Sequence, residues 1–347
     1  MLEKARVMVS ERSLAVLRAI VQDYVASREP VGSKTIVERH SFGVSAATIR
    51  NDMALLEEEE LIAAPHTSSG RIPTDKGYRV FVDQLTDVRP LTQAQRHAIE
   101  TFLGESSDLD ELLARTVRLV SQLTKQLAVV QYPSFASARV RHVELVSVAP
   151  TRLLCILIAD SGQVEQRLAE VEHPVDDETL AALRARLNEV AGGRTMADAA
   201  EALSGEIDNV DPRHAEALHT LAATLADQAH MQRPDRLMVA GAANLVATEQ
   251  DFPGSILGVI QAIEEQVVLL RLFGEMATDE HSVVVRIGRE NASFGLGETS
   301  VVSSAFEIPG RDVSRLGIVG PTRMDYSNSM AAVRAVARYL SRTLGES

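Results

Sequence analysis

Arg50 and Asn51 stand side by side in Val44-Ser45-Ala46-Ala47-Thr48-Ile49-Arg50-Asn51-Asp52-Met53. Arginine makes paired hydrogen bonds to the guanine edge and asparagine to the adenine edge in a DNA groove, so this pair has the chemistry of base recognition. The surrounding residues favour a helix. Ser45 is placed to cap its start, accepting from the backbone N–H of Ala47 or Thr48. Val44 and Ile49 fall at the two positions of a hydrophobic staple. Ile49, Met53 and Leu56 recur at i, i+4 and i+7 and predict one buried face. The opposite face carries Ala46, Ala47, Arg50, Asn51 and Ala54, and its small residues would let the backbone approach a groove. An ordinary amphipathic surface helix has the same apolar spacing, so the flanking segments must decide.

Before this stretch, Arg12 to Ser27 places Leu14, Leu17, Ile20, Val21, Tyr24 and Val25 at helical spacing, and Glu29-Pro30-Val31-Gly32 breaks the pattern. Ser33 can cap a short second helix to about Arg39, with Ile36 and Val37 facing inward. Ser41-Phe42-Gly43-Val44 is a short turn. Helix, glycine-bearing turn and helix with a polar N-terminal face form a helix-turn-helix arrangement. After it, Leu61 to Ala64 and Arg71 to Pro73 flank a polar tip, as in a β-hairpin wing. His66 and Arg71 stand at the tip edges, where they would reach phosphate or the minor groove. Thr67, Ser68 and Ser69 are potential phosphate donors. Thr74 can cap a helix from Asp75 to Leu85.

The charge distribution refines this reading. The 347-residue chain has a net charge of −13, whereas residues 1–85 carry 11 Lys/Arg against 12 Asp/Glu. Nearly all the acidic excess lies beyond the candidate reader. Glu57 to Glu60 place four acids at the far end of its helix, so binding should depend on placed contacts and dimerisation more than on bulk attraction. Apolar residues make up 45% of the chain and there is no Trp, which predicts aliphatic cores. The single cysteine, Cys155, excludes an internal disulfide and sits in an apolar run as a small hydrophobe. No Cys/His set has zinc spacing, the nine histidines are scattered, and neither a P-loop nor Gly-x-Ser-x-Gly occurs. No catalytic function, metal or cofactor is expected. With no apolar signal core and no run of about 18 apolar residues, a soluble cytoplasmic protein without a membrane partner is the expectation.

Pro30-Val31-Gly32-Ser33, then Ser45 to Met53, Leu56-Glu57, and Pro65-His66-Thr67-Ser68-Ser69-Gly70-Arg71-Ile72-Pro73-Thr74-Asp75-Lys76-Gly77-Tyr78-Arg79 resemble, in order and spacing, the bacterial heat-inducible transcription repressor family. Gly317-Ile318-Val319-Gly320-Pro321-Thr322-Arg323-Met324-Asp325-Tyr326 resembles its C-terminal signature. The chain departs from the family at Glu60, where the family has Gly, and at Ser69, where it has Ala. Glu60 speaks against a glycine-type C-cap there.

Beyond the reader, Asp108 to Ala128 reads as an amphipathic helix, followed by strand-like runs at Leu127–Val130, His142–Val148, Leu153–Ala159 and Val164–Val171. Asp160-Ser161-Gly162-Gln163 reads as a hairpin connection. An Ala-rich acidic block suggests helices at about 177–190, 195–207 and 212–230. Helical character returns at Ser255–Phe273, strand patterns at Val283–Ile287, Ser300–Phe306 and Leu316–Val319, and a last helix at about Ser329 to Leu344. Arg323 and Asp325 are expected to fix a strand end or a domain contact.

The expected fold class is α+β and multidomain. Residues 1–85 would be a winged helix-turn-helix domain and 86–104 a linker. The resemblance implies a GAF-like antiparallel α+β domain, placed at 105–175 and 257–347, and a mainly helical dimerisation domain inserted at 176–256. It further implies chaperone genes as targets, release on heat stress and the chaperonin as modulator. The expected partner is double-stranded DNA carrying an inverted-repeat operator, bound by a homodimer. Arg50 and Asn51 are the expected base readers, with Ala46 on the approaching face and Ser45 and Thr48 nearer the backbone. Lys34, Arg39, His66 and Arg71 are the expected phosphate or sugar contacts. The alternative is a ligand-sensing regulator whose GAF-like domain binds a small molecule.

Overall fold

The computed structural model describes residues 9–66, 69–85, 92–104, 106, 108–132, 138–160, 162, 164–205, 214–230, 236–252, 254, 256–276, 283–308 and 313–345. The chain divides into two compact units. The first comprises residues 1–130, 237–305 and 315–339, and the second residues 131–236, 306–314 and 340–347.

In the first unit, α1 (Glu11–Ser27), α2 (Ser33–Arg39), α3 (Ala46–Glu58) and α4 (Asp75–Asp83) surround a core of Val16, Leu17, Ile20, Ile36, Ile49, Leu56, Tyr78 and Phe81. Each long helix has a defined start. The side chains of Ser10, Ser45 and Thr74 accept from the backbone N–H of Ser13, Thr48 and Gly77. Two short antiparallel strands, β1 (Ile62–Ala63) and β2 (Ile72–Pro73), form a ribbon between α3 and α4. Val31 and Arg71 exchange two backbone hydrogen bonds of 2.9 Å beside it. Gly70 allows that approach, because a Cβ there would stand 2.6 Å from the Pro30 backbone. Ile36 is inward as expected, but Val37 is exposed, because seven residues of helix give α2 only one buried line.

The end of α3 differs from expectation. Glu60 takes a left-handed φ of 59°. The Glu60 N–H donates to the Glu57 carbonyl and the Leu61 N–H to the Leu56 carbonyl, the paired bonds of a Schellman cap. The glycine-type stop survives with a glutamate in it. Thr74 Oγ1 secures the turn by donating to the Glu60 carbonyl at 2.6 Å.

α5 (Gln93–Gly104) and α6 (Leu109–Thr124) follow. The expected linker therefore ends before residue 93: Ile99 and Leu103 of α5 are buried, and Arg115 of α6 donates to the Phe102 carbonyl. β3 (Leu127–Gln131) belongs to a sheet completed by the C-terminal part of the chain.

The second unit contains β4 (Val140–Ala149), β5 (Arg152–Ala159) and β6 (Val164–Glu170), an antiparallel sheet, with α7 (Asp177–Ala191), α8 (Met196–Ser204) and α9 (Ala215–His230). Val143, Leu145, Leu153, Cys155 and Leu157 share one core with Leu187, Leu203, Leu221 and Leu225. Burial pushes the Cys155 thiol up to about 12. The expected boundary at 175/176 cuts through this unit. Strands and helices that the sequence reading put in different domains share one core, because the apolar face of β4–β6 is covered by the Ala- and Leu-rich helices that follow. Residues 161 and 163 of the expected hairpin connection lie outside the described residues.

The chain returns to the first unit through β7 (Leu237–Ala240), α10 (Ala242–Ala247), a 3₁₀ turn (Glu249–Asp251), α11 (Ile256–Glu264) and α12 (Gln266–Glu275). The helical character expected over Ser255–Phe273 is carried by two helices, parted at Glu265, whose ψ of 76° is not helical; Ser255 lies outside the described residues. β8 (Val283–Ile287), a 3₁₀ turn (Gly288–Phe294), β9 (Thr299–Phe306), β10 (Ser314–Pro321) and α13 (Tyr326–Gly345) complete the fold. The five-stranded sheet has the order β7-β3-β10-β9-β8. Leu127, Val129, Val301 and Val319 pack with Val259, Leu269, Leu272 and Phe273 of α11 and α12. Every residue of β9 and β10 is buried, so both faces of the sheet are covered there. The molecule is thus a multidomain mixture of helices and antiparallel sheets. Among the described residues, no helix is long and apolar enough to cross a membrane.

Candidate nucleic-acid interface

α3 buries Ile49, Asp52, Met53 and Leu56 and exposes Ala47, Arg50, Asn51, Ala54 and Leu55. Arg50 and Asn51 lie on the solvent side, one turn from the capped start. Ser45 accepts from Thr48 N–H at 3.2 Å, and their hydroxyls are 3.1 Å apart. The two residues are therefore already engaged in fixing the helix start. Ala46 is half-buried beside them, and Lys34 of α2 is exposed.

Asp52 lies outside the expected set of DNA contacts, yet it positions them. It is 2% exposed, on the inward face of the helix that carries Arg50 and Asn51. Its carboxylate accepts from Arg12 Nε at 2.9 Å, Arg12 Nη2 at 3.1 Å and Ser13 Oγ at 3.0 Å. The bond and charge of Asp52 raise the Arg12 guanidinium above its ordinary range. This cluster ties α3 to the first turn of α1 and fixes the rotation of α3. The signal was present in the sequence: an acid three residues after Ile49 falls in the apolar stripe, where a carboxylate needs a partner.

The remaining expected contacts are distributed unevenly. Arg39 is exposed, with Nη1 3.8 Å from Asp23, which also lies 3.1 Å from His40 Nε2. His66 is exposed at the ribbon tip; its backbone N–H donates to Ser69 Oγ, which donates back to the His66 carbonyl. Thr67 and Ser68 lie outside the described residues. Arg71 does not point away from the protein. Its Nε and Nη2 meet Glu57 at 2.9 and 2.8 Å, and Nη1 donates to the Ser69 carbonyl. One of the four acids at the end of α3 thus holds the ribbon against the helix. A second is partly screened, since Lys76 Nζ donates to the Glu59 carbonyl at 2.7 Å.

Among the described residues, Glu172, His173 and Glu216 bring potential metal-ligand atoms within 4.8 Å of one another. All three are exposed side chains of the second unit, whereas α3 belongs to the first.

The sequence matches known proteins along its length. Residues 110–330 match the family model of the HrcA protein C-terminal domain. A relative from Clavibacter michiganensis subsp. michiganensis, a heat-inducible transcription repressor HrcA, is 66% identical over 98% of this chain and 100% of its own. The chain belongs to the HrcA family of heat-inducible transcription repressors. A Streptomyces avermitilis member is 52% identical, again over 98% of this chain and its own full length. A crystal structure described as a hypothetical protein shares the fold, with a TM-score of 0.61, 24% identity and coverage of 97% of this chain and 99% of that one.

Proposed function

We propose that the protein represses heat-shock genes by occupying an inverted-repeat operator as a homodimer, with residues 1–85 acting as a winged helix-turn-helix reader. The observation that carries this reading is the exposed face of α3. A base-pairing arginine and asparagine project there from a helix whose other side is anchored by Ile49, Met53 and Leu56 and rotationally fixed by Asp52. Arg50 and Asn51 read base edges. Ser45 and Thr48 hold the helix start near the backbone, and Ala46 lets it come close. Lys34, Arg39 and His66 contact phosphate or sugar. Arg71 acts differently from the expectation: it sets the ribbon's angle through Glu57 and reaches phosphate only by leaving that partner. The five-stranded sheet serves as the GAF-like domain, and the chaperonin is the modulator that family membership suggests. The role is non-enzymatic.

The second unit supplies the dimer contact in this reading, through its sheet and not its helices. The outer face of β4–β6 carries Val146, Leu154 and Leu168 in one cross-strand row and Ile158 and Val164 in another. Val146, Val148, Val164 and Leu168 are between 42% and 58% exposed. A self-complementary apolar patch of this kind suits a two-fold axis.

Enrichment of a random DNA pool on the full-length protein tests the reading. Recovery of inverted repeats bound at a stoichiometry of two chains per duplex is the expected result. Recovery of no common sequence, or of single half-sites bound by one chain, would overturn it.

A further inference from the structure

The exposed face of α3 carries apolar groups between its polar ones. Ala47, Asn51 and Ala54 recur at i, i+4 and i+7, and all three are exposed. They form one line, opposite the line of Ile49, Met53 and Leu56 that the core covers. Arg50 stands about 100° around the helix from Asn51, on the flank of that line. The line is presented at a fixed rotation, because Asp52 on the inward side accepts from Arg12 Nε, Arg12 Nη2 and Ser13 Oγ.

Ala47 is the member of the line nearest the capped start. Ser45 and Thr48 beside it are engaged with each other, their hydroxyls 3.1 Å apart, and the Ala47 side chain stays exposed. A methyl group has neither donor nor acceptor, so it contributes to recognition only through apolar contact. The major groove offers one apolar feature, the C5-methyl of thymine, whereas the other three bases present hydrogen-bonding atoms there. Four residues of helix rise about 6 Å. That is close to two base-pair steps of about 3.4 Å each, so Ala47 and Asn51 can meet nearby pairs together. Ala54 shares the line but has Glu58 exposed one turn beyond it, an acid that opposes close approach to the duplex at that end.

We infer that Ala47 is a specificity-determining residue, whose methyl packs on the C5-methyl of a thymine close to the adenine that Asn51 reads. The inference rests on α3 being the recognition helix. If Ala47 served only to let the backbone approach, every sequence would benefit alike and no thymine methyl would matter.

The test removes the methyl from the DNA. Operators enriched by the full-length wild type are remade with each thymine of a half-site replaced in turn by deoxyuridine, which keeps the base pairing and every hydrogen-bonding atom. Wild type, Ala47→Gly, Ala47→Val and Ala54→Gly are titrated against each duplex. For the wild type, deoxyuridine at one position should weaken binding by about three- to fivefold, the share of one buried methyl. That position should lie within about two base pairs of the one that Asn51→Ala relaxes. The difference should vanish in Ala47→Gly and persist in Ala54→Gly, which carries the same loss of helix propensity. Ala47→Val should favour the deoxyuridine duplex, because its larger side chain collides with the thymine methyl, and it carries the test if Ala47→Gly does not fold. A wild type indifferent to every deoxyuridine overturns the assignment. So does a difference that survives unchanged in both Ala47 variants, or one that disappears equally in Ala54→Gly. Failure of the wild type to enrich any common sequence defeats the reading of α3 instead.

Discussion

Two surfaces of the molecule are exposed for opposite chemical reasons. On α3, Arg50 and Asn51 project polar groups from a helix capped by Ser45 at its start and closed by the turn at Glu60. On the outer side of β4–β6, Val146, Leu168 and Val164 expose apolar area above a full core. The helix face costs little to leave in water and gains when donors and acceptors of the right pattern arrive. The sheet face is costly to leave in water and gains from almost any apolar cover of the right shape. In the proposed reading, specificity belongs to the first surface and the driving force for pairing to the second.

Breaking the second surface should have the larger effect. Ile156 lies in the middle of β5, on the outer side, paired with Glu144 and Gln166. Ile156→Asp should leave the inner core intact, because alternate residues face opposite ways. If the sheet carries the proposed dimer contact, the variant should sediment as a monomer where the wild type sediments as a dimer. Operator affinity should fall by about 100-fold, the advantage of two linked half-sites over one. A dimer that survives the change would locate the contact elsewhere. Asn51→Ala sharpens the first surface: it should cost about 1–3 kcal/mol on the preferred operator and relax preference at one position, while the dimer persists. Equal loss across a panel of single-base operator variants would move Asn51 from base reading to backbone contact. The smallest effect concerns the helix end. Glu60→Gly removes a left-handed non-glycine residue and should stabilise the fold by about 1 kcal/mol in a denaturant melt, leaving operator preference unchanged.

The helices and ribbon of α1 to α4 were legible in the sequence because their signals are local. The Ser45 cap, the Ile49–Met53–Leu56 stripe and the turn around Gly43 each depend on residues a few positions apart. The positions of most strands were readable for the same reason. Their grouping was not. β4–β6 and β8–β10 show the same alternation, and nothing within either set says which helices cover it. The boundary at 175/176 followed a change from strand to helix pattern, but the core that joins Leu153 to Leu221 crosses it. Long-range ion pairs were equally hidden. Arg323 has an acid two residues away, yet it pairs with Asp251, 72 positions distant. Arg71 looked like a free cation at a loop edge because Glu57 was counted as part of a repelling run. Asp52 could have been found from its place in the apolar stripe.

The pairing of Arg71 with Glu57 has a consequence for how binding responds to salt. A cation already matched to an acid on its own protein brings no net charge to the duplex. If it turns to a phosphate, it leaves Glu57 bare beside the same backbone. The ribbon would then contribute little to the release of ions condensed on DNA, and, with Arg39 facing Asp23, the dependence of affinity on salt should report mainly Lys34 and Arg50. A repressor built this way would tolerate changes in cellular ionic strength better than its number of basic residues suggests.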